Sequence, residues 1–386
     1  MLKMWNVILI MLTFTLTIFG TYITRSGIIS SVHAFAASDL GIWFFGFVVF
    51  IIVGCIMLLI LRKDDLGSQN RMESFTSRES GFLFNNMLFL ALTFAVLWGT
   101  MFPVLSEAIR GTKITVGAPY FDKITTPMGL LLLALTGVGP LLAWRKTSLG
   151  TVKRNFIIPG IFGLVVVLIG LISSSISHYA SLTFGLATFV LVGIILEFTR
   201  GVKARMRTAS ENPWTAFSSL IDKNRSRYGG YIVHFGILIM FIGFAGKAFT
   251  VEQELTMQAG DTVEMKGYTF TMDRHYFEER PNHVAKIIDL TVRSGDDFIT
   301  RLSPEKRFYT DQDNQPNSEV GIYSRPTEDL YAILGDVDSE TEIAVLKIMI
   351  NPLVQMVWIG SIILVLGTLV AVWPSSLDRK LEVKLA

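Results

Sequence analysis

The chain has one cysteine, Cys55, and it stands inside an apolar run. A single thiol excludes an intramolecular disulfide, and no CxxC pair exists for thiol exchange or zinc. Charge is scarce too. Asp, Glu, Lys and Arg make up 17% of the 386 residues, where an ordinary soluble domain carries about 25%. The net charge of +2 leaves no basic field with which to hold a nucleic acid. The sequence contains no phosphate-cradling glycine loop, no nucleotide fingerprint and no Ser/His/Asp arrangement, which argues against an ATP-driven pump. No internal repeat is evident.

Apolar residues are what the chain has in excess, at 51%. A hydrocarbon core takes about 20 apolar residues per helix. Eight stretches approach that length: 5–23, 41–61, 84–105, 127–144, 156–174, 180–198, 230–249 and 350–373. The first, MLKMWNVILIMLTFTLTIFGTYI, is too long and too aromatic for a signal peptide and reads as a true span. Basic residues set the expected orientation. Arg62, Lys63, Arg71 and Arg78 follow the second span, and Arg145, Lys146, Lys153 and Arg154 divide the fourth from the fifth. Seven more, Arg200 to Arg227, separate the sixth from the seventh, and Arg379, Lys380 and Lys384 close the chain. The expectation is that both termini are cytoplasmic, with 24–39, 106–126 and 175–179 outside.

Residues 250–346 differ in kind. Runs such as TVEMKGYTFTM and VAKIIDLTV alternate as strands do, and turn signals at 259–261, 294–297 and 315–317 separate them. The expected architecture is a polytopic α-helical membrane protein with about eight transmembrane helices and a small β-rich outer domain before the last one. Its divisions are 1–249, with seven helices, 250–346, and 347–386, with the last helix and a cytoplasmic tail. The loop 199–228 reads as a solvated basic loop, with an amphipathic interfacial segment around Trp214 and Phe217 as the other reading.

Two histidines carry the sharpest chemical signal. His234 lies inside the span GGYIVHFGILIMFIGFAG, where ionisable residues are costly and often functional. A neutral imidazole is a good axial ligand for haem iron, and Gly236, Gly243 and Gly246 would let a helix or a flat macrocycle come close. A histidine hydrogen-bonded to a neighbouring helix fits the position equally well. His33 stands in the outer loop SGIISSVHAFA among Ser30, Ser31, Ala34 and Ala36, which leave room for a large planar ligand. Nearby Arg25 and Ser26 suit an anionic group such as a haem propionate. An ordinary loop histidine is the alternative there. His178 reads as solvated, and His275 and His283 form at most a weak metal pair, since no ligand spacing is present. Glu107, Asp122 and Glu197 read as solvated charges at span ends. Trp98, Trp144, Trp358 and Trp373 read as interface anchors.

Several segments together resemble the CcmF family of haem lyase subunits from system I cytochrome c maturation. They are the opening run through SSVHAFA, GAPYFDKITTPMGLLLLALTGVGPLLAW (117–144), RYGGYIVHFGI (227–237), RLSPEKRFY, TEDLYAILG and INPLVQMVWIGSIILVLGTLVAVWP (350–374). The resemblance covers essentially the whole chain. It implies that His33 corresponds to the second of two outer histidines that flank a tryptophan-rich WWD segment. It likewise implies that His234 is the second of two transmembrane histidines holding haem b. The WWD segment and the first histidine of each pair do not occur in this sequence, so the chain resembles the C-terminal part of the family. The implied function is transfer of haem from the chaperone CcmE to the CxxCH thiols of apocytochrome c in the bacterial inner membrane. The implied partners are an N-terminal CcmF part carrying the WWD segment, CcmH, CcmI, haem-loaded CcmE, apocytochrome c and membrane lipid. The competing reading is a non-enzymatic scaffold, or a haem transporter or relay subunit.

Overall fold

In the computed structural model, the described residues are 3–26, 28, 40–67, 74–144, 146–173, 176–309, 316–338 and 341–375. A backbone in hydrocarbon must satisfy its own N–H and C=O groups, so long apolar runs become helices. They are α1 (Lys3–Ser26), α2 (Leu40–Leu61), α3 (Arg78–Arg110), α4 (Ala118–Val138), α5 (Leu149–Ile172), α6 (His178–Ala209), α7 (Pro213–Lys223), α8 (Arg225–Ala245) and α9 (Val354–Val372). All but α7 are long and apolar enough to cross a membrane. Each expected span therefore falls on one of these helices, the last starting at Val354 rather than 350, and α7 is a short helix where the sequence favoured a loop. The β-rich domain stands between α8 and α9.

The chain divides into two compact units, the first comprising Met1–Leu132 and Leu142–Leu149. Here α1 and α2 meet where Gly41 faces Ser26, and the Tyr22 ring lies 5.8 Å from Phe45. The start of α3 is fixed by a reciprocal cap. Ser77 Oγ accepts from the Ser80 N–H at 3.2 Å, and the Ser77 N–H donates to Ser80 Oγ at 3.4 Å. Such caps satisfy helix N–H groups that have no partner of their own. Gly99 lets α4 approach α3: a Cβ there would lie 2.7 Å from the Phe121 ring. The Tyr120 hydroxyl donates to the Ala95 carbonyl at 3.2 Å.

The second unit comprises Leu133–Leu141 and Gly150–Ala386. In it, Gly163 of α5 faces the Gly185 carbonyl of α6, and Arg200 of α6 donates to Asn155 of α5 at 2.8 Å. Helices α8 and α9 approach most closely. Gly229, Gly236 and Gly243 recur every seven residues on α8 and face Ala371, Gly360 and Val357 of α9. Gly367 of α9 meets Val233 and Ile232 in return. Between apolar helices in lipid, packing of small residues replaces the hydrophobic effect as the source of association.

The β domain is two antiparallel sheets around one core. The first runs β1 (Val251–Met257), β10 (Ala344–Pro352), β9 (Glu328–Val337), β8 (Gly321–Ser324). The second runs β2 (Thr262–Met265), β3 (Tyr268–Arg280), β4 (His283–Ser294), β6 (Glu305–Tyr309), β7 (Pro316–Glu319), with β5 (Asp297–Leu302) also on β4. Alternate residues of both sheets, including Phe270, Met272, Leu290, Leu330, Leu346 and Ile348, are fully buried between them. Strand β10 runs on to Pro352, past residue 346, because Ile348 and Ile350 still alternate into this core.

The domain joins the helices through a tight connection. Strands β1 and β10, which continue α8 and lead into α9, pair in register from Val251↔Ile350 to Met257↔Ala344. Leu353 turns the chain with φ 63°, and its N–H donates to the Thr327 carbonyl at 3.0 Å. Gln355, in the first turn of α9, donates to both carboxylate oxygens of buried Asp329, at 3.0 and 3.3 Å.

Candidate functional site

Helix α8 has three sides, because successive residues turn by about 100°. The glycine line faces α9. Tyr228, Tyr231 and Leu238 pack with Ala187, Val190 and Ile194 of α6 and with Leu133. His234 stands about 160° round from Gly236, on the side away from α9. It lies nine residues after Arg225, well inside the span.

The His234 ring makes no hydrogen bond to any described residue, and its Nδ1 is buried. The bond to a neighbouring helix that its position allowed is therefore not made among the described residues. A buried polar nitrogen left without a partner costs about 1–3 kcal/mol. Gly230, one turn earlier on the same side, faces open space: a Cβ there would meet nothing within 4 Å. Two turns earlier, Arg227 pairs across to Glu197 of α6 at 3.2 Å. With neither ring nitrogen hydrogen-bonded among the described residues and the helix open at Gly230, the position is compatible with a flat ligand whose metal takes one imidazole. The Arg227–Glu197 pair corrects the reading of Glu197 as a solvated charge. Its side chain is 15% exposed, because α6 and α8 converge there. The signal lay in RYGGYIVH, which sets an arginine, a glycine and a histidine three and then four residues apart, on one helical side.

The other candidates have separate fates. His33 lies outside the described residues. Arg25 is the exposed penultimate residue of α1, and Cys55 is half-buried on α2. His178 is exposed at the start of α6. His275 and His283 do not meet: His283 pairs with Arg280 across the β3–β4 ladder, five residues along from His275, or about 17 Å. His283 is instead fixed locally, its Nδ1 2.7 Å from Asn282 Oδ1 and its ring 5.0 Å from Tyr309. No group of three or more metal-capable side chains occurs among the described residues.

Comparison with known proteins places these features. Residues 248–352 match the family described as CcmF C-terminal beta-sandwich. The cytochrome c-type biogenesis protein CycK of Bradyrhizobium diazoefficiens is 31% identical over 99% of this chain and 57% of its own length. CcmF of Pseudomonas aeruginosa is 31% identical over 99% of this chain and 56% of its own. CcmF of Escherichia coli is 29% identical over 96% and 55%. The solved structure titled Cytochrome c Heme Lyase CcmF superposes with a TM-score of 0.72 at 25% identity, over 96% of this chain and 55% of that one. The chain thus spans little more than half the length of the relatives it matches. With eight apolar helices among the described residues, it is a multi-pass membrane protein. It belongs to the CcmF family of cytochrome c-type biogenesis proteins and carries that family's C-terminal β-sandwich.

Proposed function

We propose that this chain is part of a cytochrome c haem lyase and acts together with an N-terminal CcmF part that carries the WWD segment. The observation that supports it most is His234: an imidazole with no hydrogen bond among the described residues, inside a span, beside the open side of Gly230. In the reaction, haem is the substrate, delivered by CcmE. Each thiol of a CxxCH segment in apocytochrome c adds across a haem vinyl group, its sulfur bonding one carbon and its proton passing to the other. The thiols come from the apocytochrome, in keeping with a chain whose single cysteine lies within α2.

The protein's share is positioning, which makes an encounter between two large reactants effectively intramolecular. His33 would hold the iron of the substrate haem outside the membrane, together with a histidine of the partner part. Arg25 pairs with a propionate, since guanidinium matches carboxylate in two parallel hydrogen bonds. His234 would hold a resident haem b, together with a group from the partner part. When bound, haem b supplies one-electron transfer. His234 contributes a neutral imidazole, and Gly230 leaves space for the macrocycle. The β-sandwich, outside the bacterial inner membrane, offers the surface for CcmH, CcmI or the apocytochrome, and both termini lie in the cytoplasm.

The test is complementation. The chain and a WWD-bearing partner part are expressed together in cells without their own haem lyase, and covalent haem on a CxxCH reporter is measured. The expected result is holocytochrome only with both parts, and its loss in His33→Ala. Undiminished yield in that variant contradicts the ligand role of His33, and no holocytochrome from two co-purifying wild-type parts contradicts the lyase reading.

A further inference from the structure

We infer that α7 is an interfacial ledge that binds the surface of an anionic bilayer, and that Trp214 together with Lys203 and Lys223 forms the contact.

Depth is the first argument. Helix α6 starts at His178, and about 20 helical residues cross the roughly 30 Å hydrocarbon layer. Its far boundary then falls near Phe198, and the remainder of α6, to Ala209, projects beyond it. Helix α7 docks at that level. The Phe217 ring is 5.6 Å from Phe198, and Leu220 fills the space that a Cβ on Gly201 would occupy, at 2.7 Å.

The faces of α7 are the second argument. Asn212 caps the helix, its Oδ1 accepting from the Thr215 N–H at 2.9 Å, and Pro213 opens it. Ala216 and Leu220 are buried. Trp214 and Phe217, at i and i+3, form an exposed aromatic pair on another side, while Ile221 packs toward the core with Leu220. Trp214 is 82% exposed, and its ring lies within 12° of parallel to that of Phe217 at 6.0 Å. A solvated loop gains nothing from an exposed Trp–Phe pair, whereas the headgroup layer favours such amphipathic rings.

Charge is the third argument. Several cations here are neutralised within the protein: Arg205 by Glu211, Arg225 by Asp222 and Arg227 by Glu197. Lys203 and Arg207, one turn apart on the exposed extension of α6, and Lys223 at the end of α7 make no ion pair among the described residues. Lys203, about 7 Å past the Phe198 boundary on the side of α6 turned from α7, and Lys223, in the last turn of α7, stand at headgroup depth and are complementary to the phosphates of anionic phospholipid.

The test uses the full chain in nanodiscs of phosphatidylcholine alone or with one-third phosphatidylglycerol. Trp214 emission is read as the difference between wild type and Trp214→Phe, with lipids spin-labelled near the headgroup or with aqueous acrylamide as quencher. The expected result is quenching by the labelled lipid. Retention of phosphatidylglycerol should fall roughly fivefold for each cation removed in Lys203→Gln and Lys223→Gln at low salt. Quenching by acrylamide alone means a solvated segment, and quenching by neither means a protein cover. Each of those results, or unchanged phosphatidylglycerol retention in the variants, overturns the inference.

Discussion

A Cβ on Gly236 would lie 2.6 Å from the Gly360 carbonyl oxygen, and a Cβ on Gly360 would lie 2.6 Å from the Gly236 carbonyl oxygen. The two helices therefore touch backbone to backbone. Neither clash can be relieved by rotating a side chain, because the opposing atom in each case is a carbonyl. Gly236→Leu or Gly360→Leu should force α8 from α9 and destabilise the pair by about 1–3 kcal/mol, as overpacking does. Gly230→Ala, where the Cβ meets open space, should be nearly neutral for stability. Thermal unfolding of the purified chain, followed by intrinsic fluorescence, checks both. Equal midpoints for Gly236→Leu and wild type contradict the packing account.

Asp329 is 2% exposed and is held by the Gln355 amide. Gln355→Ala leaves a buried carboxylate without that donor, and should destabilise by about 1–3 kcal/mol. Combining it with Asp329→Asn should recover part of the loss, because a neutral amide is less costly to bury unpaired. A double-mutant cycle by thermal unfolding measures the coupling, and additive losses would show that the two side chains do not act together.

Two carboxyls of the β-sandwich are shifted downward. Glu278 is held low by its hydrogen bond from Arg280. Burial pushes Asp336 upward, but the Lys286 ammonium and the Val337 N–H outweigh that and leave it low. A carboxyl with a lower pKa folded than unfolded adds stability above its unfolded value, near about 4. That stability is lost as pH falls through the lowered folded value. The thermal midpoint of the domain should thus hold steady from pH 7 to about 5, then drop toward pH 3. Asp336→Asn should flatten the drop, and a midpoint that rises on acidification contradicts the assignment.

Arg227 and Glu197 join α8 to α6 two turns before His234. Arg227→Ala strands a mostly buried carboxylate, so it should be worse than Arg227→Ala with Glu197→Gln, by about 1 kcal/mol or more. Comparing the midpoints of the two variants checks this, and the same order reversed would mean that Glu197 has other support.

Much of this architecture was legible in the sequence, because membrane helices announce themselves by length and apolarity alone. The alternation in VAKIIDLTV likewise marked the sandwich core. The boundary at β10 was harder, since KIMINPLV is apolar enough to open a span, and only the burial of Ile348 and Ile350 assigns it to the sheet. Helix α7 was obscured by the basic residues around it, which resemble a solvated loop until Ala216 and Leu220 are seen buried. His234 stood out by type, but that its ring bonds no described residue, and that the helix is open at Gly230, depend on neighbours distant in sequence. His275 and His283 lacked a metal-ligand spacing in the sequence, and the hairpin register sets them five residues apart along the ladder.

The most direct test of the central claim is a dithionite-reduced minus oxidised absorption spectrum of the chain co-purified with its WWD-bearing partner part, as wild type and as His234→Ala. The account predicts a b-type spectrum for wild type that is lost in His234→Ala while the two parts still co-purify. The same b-type spectrum at the same haem stoichiometry in both would contradict it.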